Sequence, residues 1–277
     1  VLREITSRDN PHYRALVRLQ RAGGASRRDG VAVIEGEHLV EVCLARAPDR
    51  IRGVFLRESA AVPRVAPATC PLWRLPATLF DRASLMPAPP DVMALVDMAA
   101  SGTPARHGFI LALDHVQDPG NVGTLIRTAA AAGCSEVWVD RGSAAAWSGK
   151  TLRAAQGAHF QIPVHDGVDL SRALESFRGQ RWATLPAANP VPTVSLDALS
   201  ARAADFDGVM SPEADLVVVV SNEGAGLSPA LEPVIDRGLA IPMSAGVESL
   251  NAAVAGSIAL YALRGLRGRV STPPVRA

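Results

Sequence analysis

Lysine is almost missing from this chain: Lys150 is the only one, and arginine carries nearly all of the positive charge. An exchange of that kind across a whole sequence reflects a GC-rich genome, so arginine content alone is no sign of nucleic-acid binding. Cysteine is scarce too. Cys43, Cys70 and Cys134 are odd in number, far apart and without a Cys-x-x-Cys pair, which argues for a reducing compartment and against a structural zinc. No apolar run approaches the roughly 18 residues that a membrane span needs. The stretch Val-Leu-Arg-Glu-Ile-Thr-Ser-Arg at the N-terminus is too polar for a signal peptide. The expectation is a cytoplasmic protein with no membrane partner. Nucleotide fingerprints are also missing, both Gly-x-Gly-x-x-Gly and the Lys-Ser/Thr ending of a P-loop, which disfavours NAD and ATP. The histidines His12, His38, His107, His115, His159 and His165 never cluster at ligand spacing, so no metal is expected. Of these, His115 lies nearest the polar loops described below.

What is present is a soluble globular composition, 48% hydrophobic and 20% charged over 277 residues, enough for one large domain or two ordinary ones. The net charge of +1 hides an uneven distribution. Residues 1–28 carry Arg3, Arg8, Arg14, Arg18, Arg21, Arg27 and Arg28 against Glu4 and Asp9, and no acid follows Glu248 at the arginine-containing C-terminal end. Basic patches on a near-neutral protein suit an anionic partner bound at defined places.

Two domains are expected. Residues 8–29 read as an arginine-studded helix stopped by Gly23-Gly24. A β-α-β rhythm follows through Val31–Glu35, Gly36–Ala47 and Ile51–Leu56, and recurs at Leu72–Leu75, Ala77–Ser84 and Val92–Val96. This gives a small α/β domain over residues 1–98, with 99–107 as linker. Over 108–277 the alternation is clearer. Strands are expected at Phe109–Leu113, Glu136–Val139, Phe160–Val164, Trp182–Leu185, Leu216–Val220 and Leu239–Ile241. Helices are expected at Asn121–Gly133, Gly149–Ala155, Leu170–Arg178, Pro229–Asp236 and Ser249–Arg267. Continuous apolar strands such as Leu-Val-Val-Val-Val predict a doubly wound, mostly parallel sheet covered on both faces.

In such a sheet ligands collect beyond the C-terminal ends of the strands. Three strand ends concentrate polar and glycine residues. The first, Leu113-Asp-His-Val-Gln-Asp-Pro-Gly-Asn-Val-Gly-Thr-Leu-Ile-Arg127, delivers Asn121 to a helix start and Arg127 less than two turns on. Among so many alanines Arg127 is expected to be at least partly buried, where it would hold a carboxylate or phosphate. The second, Ser221-Asn-Glu-Gly-Ala-Gly-Leu-Ser228, offers Glu223 and two glycines that admit a ligand close to the backbone. The third runs from Ile241 to Asn251, where Glu248, Ser249 and Asn251 open a helix that is expected to be buried nearly all round. An ordinary N-cap at Ser249 is the plain reading of that stretch.

Together and in this order, the three loops resemble the three motifs of the SpoU (TrmH-like) branch of the SPOUT RNA methyltransferases, over about residues 109–265. Ser221 departs from the family, which more often has glycine there. The first domain is similar to the ribosomal-protein-L30e-like substrate-binding domain, through Ser7-Arg8-Asp-Asn-Pro and Val33-Ile-Glu-Gly-Glu-His-Leu-Val40. The resemblance implies a C-terminal trefoil knot, a homodimer and S-adenosyl-L-methionine as cofactor. It also implies methyl transfer to a ribose 2′-hydroxyl of structured RNA. Carried over by position, Asn121, Arg127, Glu223, Ser249 and Asn251 fall on active-site positions. The cofactor would lie against Leu185, Pro186, Asn222, Glu223, Gly224, Ile241, Met243, Ser249 and Leu250. RNA would be gripped by Arg8, Arg14, Arg18, Arg27, Arg28 and Arg127. Large-subunit (23S) ribosomal RNA is the preferred substrate and transfer RNA the alternative. A non-catalytic RNA-binding protein and a small-molecule α/β enzyme are the competing classes. The apolar face of Ala252–Leu263 is the expected dimer surface.

Overall fold

The computed structural model describes residues 2–63, 69–98, 102–187, 189–201, 214–222, 224–247 and 249–266, the side chains of 200, 201 and 266 excepted. Glu223, Glu248 and the first three residues of the proposed linker, 99–101, therefore lie outside the described residues. The chain forms two compact units. One comprises 1–100 together with 146–161, the other 101–145 together with 162–277.

The first unit is built on a six-stranded mixed sheet. Its strands are β1 (Leu2–Glu4), β2 (Ala25–Ser26), β3 (Val31–Glu35), β4 (Ile51–Arg57), β5 (Leu72–Leu75) and β6 (Val92–Asp97), in the order β1-β5-β4-β6-β3-β2. β1 and β4 run parallel to β5, whereas β6 is antiparallel to both β3 and β4. Helix α1 (Pro11–Arg21) is capped by Asn10, whose side chain accepts from the His12 and Tyr13 N–H groups. It buries Tyr13, Leu16, Leu19 and Gln20, one stripe of a 3.6-residue period, and leaves its arginines outside. Buried Gln20 is satisfied by Glu35 at 2.6 Å. Helices α2 (Glu37–Arg46) and α3 (Ala77–Ala83) complete the layer.

The segment 146–161 was expected in the second domain, yet it packs with the first unit. Its helix α5 (Gly149–Ala155), capped by Ser148, lies against β3. Arg50 stacks over Trp147 at 5.1 Å and Phe160 at 5.3 Å, and donates to the His159 carbonyl at 3.4 Å. The His159 ring is buried, and desolvation pushes its pKa down to about 4.

The second unit carries the parallel sheet that the apolar strands predict. Its strands are β7 (Phe109–Asp114), β8 (Glu136–Asp140), β9 (Val164–Val168), β10 (Gln180–Thr184), β11 (Thr193–Ser195), β12 (Leu216–Ser221) and β13 (Arg237–Ala240). All neighbours are parallel in the order β11-β13-β10-β12-β7-β8-β9. β7 and β12 are adjacent and buried at every position, as strands covered on both faces must be. One face is covered by α6 (Leu170–Ser176) and the residues around Leu231 and Ile235. α4 (Pro119–Ala132) and α8 (Ala252–Leu266) pack on each other, with α8 also against β12. A short helix, α7 (Leu196–Ala201), follows β11. Gly256 makes the close packing possible: a Cβ there would meet Leu125 at 2.5 Å and Val220 at 2.9 Å. Thr128 and Ser257 hydroxyls meet across the same seam at 3.1 Å.

Several elements differ from expectation. The strand expected at Phe160–Val164 is Val164–Val168, and the helix expected at Pro229–Asp236 is only a 3-10 turn at Glu232–Val234. α8 starts at Ala252, not Ser249, and is not buried all round. Val254 and Tyr261, seven residues apart on one stripe, are 48% and 49% exposed. No helix among the described residues is long and apolar enough to cross a membrane.

Candidate active site

The C-terminal ends of β10, β12 and β13 open onto a cavity of about 880 Å³. Its walls are the residues after β10 (Leu185, Pro186), residues 222 and 224–227 of the loop after β12, and residues 241–247, 249 and 250 after β13. Leu185, Pro186, Asn222, Gly224, Ile241, Met243, Ser249 and Leu250, singled out in the sequence for cofactor contact, all line it. Asn189, in the loop that follows Leu185, lines it as well, as do Thr184, Leu227 and Ala240, which are not among the cofactor positions named from the sequence. Leu227 and Ala240 are small-to-medium apolar side chains indistinguishable in sequence from ordinary core. The volume and the mixture of apolar wall with a few polar groups suit a ligand of nucleoside size. Ser221 also lines the cavity, and its Oγ is buried with no hydrogen-bond partner among the described residues. A buried hydroxyl without a partner is costly and marks a place where a polar ligand atom can be accommodated.

Asn121 and Asn251 come together. The Asn251 side chain donates to Asn121 Oδ1 at 3.0 Å and accepts from the Ala253 and Val254 N–H groups at 2.9 and 3.3 Å. Asn251 is therefore the N-cap of α8, the role the sequence assigned to Ser249. Ser249 is instead an exposed residue of the segment before the helix. On α4, Asp118 caps the helix by accepting from the Asn121 N–H at 2.9 Å, with Pro119 at its first position.

Arg127 is a second correction. It is exposed, not partly buried. α4 buries Val122, Leu125, Ile126 and Ala129, so Thr124, Arg127 and Ala131 form the outer stripe. The surrounding alanines look apolar in sequence, but their small side chains do not decide which face is buried.

Beside the cavity, the end of β7 carries a cluster that sequence spacing could not reveal. Buried Asp114 and Asp140, on neighbouring strands, flank the His115 ring, whose Nδ1 lies 2.9 Å from Asp114 and 3.0 Å from Asp140. The hydrogen bond to Asp114, and after it the charge of both carboxylates, raise the His115 pKa above its ordinary value against the opposing effect of desolvation. The three side chains bring potential ligand atoms within 4.8 Å of one another. The two carboxylates also accept from protein N–H and O–H groups. Asp114 accepts from the Ser228 N–H and hydroxyl at 2.8 and 2.6 Å, and Asp140 from the His115 and Ser143 N–H groups at 3.1 and 2.8 Å.

In the first unit, Arg8, Arg14 and Arg18 line a depression of about 420 Å³ together with Arg21, Arg82, Tyr13 and Val17. Arg82 comes from α3 and was not singled out in the sequence. Arg27 and Arg28 are exposed on the turn before β3 and do not line it.

Against known proteins, the model of the SpoU rRNA methylase family matches residues 108–261, more than half of the chain. The chain is 35% identical over 233 residues to the 23S rRNA (guanosine(2553)-2′-O)-methyltransferase RlmP of Bacillus subtilis, covering 84% of this chain and 88% of that protein. A solved RNA methyltransferase of the TrmH family from Porphyromonas gingivalis superposes with a TM-score of 0.73 at 28% identity, over 90% of this chain and 96% of its own. An rRNA methyltransferase of Sinorhizobium meliloti, solved with AdoMet bound, has the same fold, with a TM-score of 0.75 at 24% identity over 95% and 98% of the two chains.

Proposed function

Because the chain belongs to the SpoU rRNA methylase family, we propose that it is an S-adenosylmethionine-dependent RNA 2′-O-ribose methyltransferase acting on large-subunit (23S) ribosomal RNA. The single observation that supports this most is the cavity at the ends of β10, β12 and β13. Every described residue that the family motifs assign to the cofactor meets there.

When bound, S-adenosylmethionine supplies an electrophilic methyl group: its carbon–sulfur bond breaks as the ribose oxygen–carbon bond forms. The protein's part is to place the partners in line and to manage the hydroxyl proton. Leu185, Ile241 and Leu250 give the cavity apolar walls, while Asn222 and Ser249 offer polar atoms. The Arg127 guanidinium, which has donors and no acceptor, clamps the phosphate beside the target ribose and stabilises the developing alkoxide, and the proton leaves by another group. Its exposure suits a residue that meets a polynucleotide. Asn121, held by Asn251, supports the ribose. Glu223, on the motif-two position, is the acidic member of the site in this reading. The arginines around Arg8, Arg14 and Arg18 bind RNA phosphates, with Arg27 and Arg28 beside them. In this reading residues 1–98 are the L30e-like substrate-binding domain and the trefoil knot shapes the cofactor site. The protein works in the cytoplasm as a homodimer through the exposed Val254 and Tyr261 stripe.

Radiolabelled S-adenosylmethionine offered with total ribosomal RNA, assembled subunits and transfer RNA tests the proposal. Label in ribosomal RNA that disappears with Arg127→Ala is the expected result. Label in transfer RNA alone overturns the substrate, and no label with no thermal stabilisation by the cofactor overturns the reaction.

A further inference from the structure

We propose that Asp114 and His115 are positioning residues for the cofactor, holding both ends of the 222–228 loop against the end of β7 so that its backbone keeps the shape of the cavity wall. The inference rests on the reading that this cavity holds S-adenosylmethionine.

The loop has two anchors outside itself. At its start, Asn222 Nδ2 donates to the His115 carbonyl at 3.1 Å. At its end, the Ser228 N–H and hydroxyl both donate to Asp114, at 2.8 and 2.6 Å. Gly224, Ala225, Gly226 and Leu227, which line the cavity, lie between these points. Asn222 Oδ1 in turn accepts from the Gly224 and Ala225 N–H groups at 2.8 and 2.9 Å, so one anchor sets the turn itself. Asp114 is only 1% exposed, and a buried carboxylate held by Ser228 and His115 is a rigid point of attachment.

His115 is built into the attachment by its backbone as well as its ring. It has φ +56°, a left-handed conformation that non-glycine side chains adopt at a cost, and this turns its carbonyl to Asn222. Gly142 makes room for the ring, since a Cβ there would lie 2.4 Å from His115 Cδ2. The charged groups around the imidazole are Asp114 on β7, Asp140 on β8, and Arg141 and Asp169, which line the same depression. Protonated, the ring balances two buried carboxylates; neutral, it leaves them facing each other with one N–H to share. The raised pKa of His115 means that the charged form belongs to the folded arrangement. The attachment is complete below that pKa and weakens as pH rises through it.

Isothermal titration of the full chain with S-adenosylmethionine between pH 6 and pH 9 tests this. Wild-type Kd is expected to rise about fivefold across an inflection above the ordinary histidine value of about 6.5. His115→Gly fits the left-handed backbone, removes the inflection and keeps the weak, high-pH affinity throughout. Gly142→Ala, which changes no charge, displaces the ring and moves the inflection toward the ordinary value. Asp114→Asn, which sets an amide against the Ser228 donors, weakens binding about tenfold at all pH values. In each variant kcat at saturating cofactor stays near wild type, because the effect is on holding the cofactor. A His115→Gly protein with wild-type affinity and pH profile overturns the proposal. So does an affinity that falls with chelator and returns with zinc, which would make the cluster a metal site. Ile241→Trp, which fills the cavity, separates the two readings: if it leaves binding intact, the cavity is not the cofactor site and both fail. If it abolishes binding while His115→Gly behaves as wild type, only the positioning role fails.

Discussion

The 222–228 loop and the 241–250 segment border the same cavity, and they are held in opposite ways. The first is cross-braced: an isolated bridge joins Asn222 and Gly226, and both ends are tied to Asp114 and His115. The second has a single backbone hydrogen bond of its own among the described residues, Val247 N–H to the Ser244 carbonyl at 3.2 Å. Pro242 through Val247 are exposed throughout. A site with one rigid wall and one loosely held wall can fix the orientation of a ligand on one side and close over it on the other. Stability is not uniform across a fold, and segments that move on binding come from its least braced parts.

The largest expected effect touches neither loop. Arg127→Ala should lower methyl transfer by roughly 100-fold while cofactor Kd changes less than about twofold, because one charge-stabilising donor is lost outside the cavity. A matching loss of cofactor affinity would show that Arg127 acts on the cavity walls instead. Next comes the braced wall. Ser228→Ala removes a hydroxyl bond to a buried carboxylate and should cost about 1 kcal/mol in chemical denaturation. Ser244→Ala in the loose wall should stay within about 0.5 kcal/mol. Equal costs would erase the contrast. Asn251→Ala deletes the α8 cap and the bond to Asn121, for a loss of about 1 kcal/mol, and should unsettle the loose wall at its downstream end. The finest test is amide exchange without ligand. The Gly224 and Ala225 amides should be more protected than those of Ala245 and Gly246, and the gap should narrow when S-adenosylmethionine is added.

Much of this was legible in the sequence, and the exceptions have physical reasons. β7 and β12 announce themselves because strands covered on both faces are continuously apolar. β9, Val-His-Asp-Gly-Val, sits at the sheet edge, is only half-buried over its last three residues, and carries no such signal. The apolar Phe160 that suggested a strand packs with Arg50 and Trp147 instead. The 229–236 stretch is apolar enough for a helix, but Pro233 has no N–H to give, and only a 3-10 turn forms. At the site, the cavity residues named from the sequence were legible because they sit at strand ends that the order of motifs marks, whereas Thr184 and Ala240, within the strands themselves, were not. Asp114 and Ser228 were in view within the motifs, yet their bond joins residues 114 positions apart, and no local spacing encodes it. The exposure of Arg127 is not legible in the sequence, because alanine fits either face of a helix.

The division of the chain into units has a consequence in time. The first unit is finished only when residues 146–161 reach it, after β7, α4 and β8 of the second unit have been made. On the ribosome, at about 5–20 residues per second, several seconds separate the emergence of β3 from that of the helix that covers it. For that interval β3, with its buried valines and isoleucine, has α1 and α2 against it but lacks α5. Cutting the gene near residue 99 would make the wait permanent, so the N-terminal fragment should be harder to produce than the intact chain.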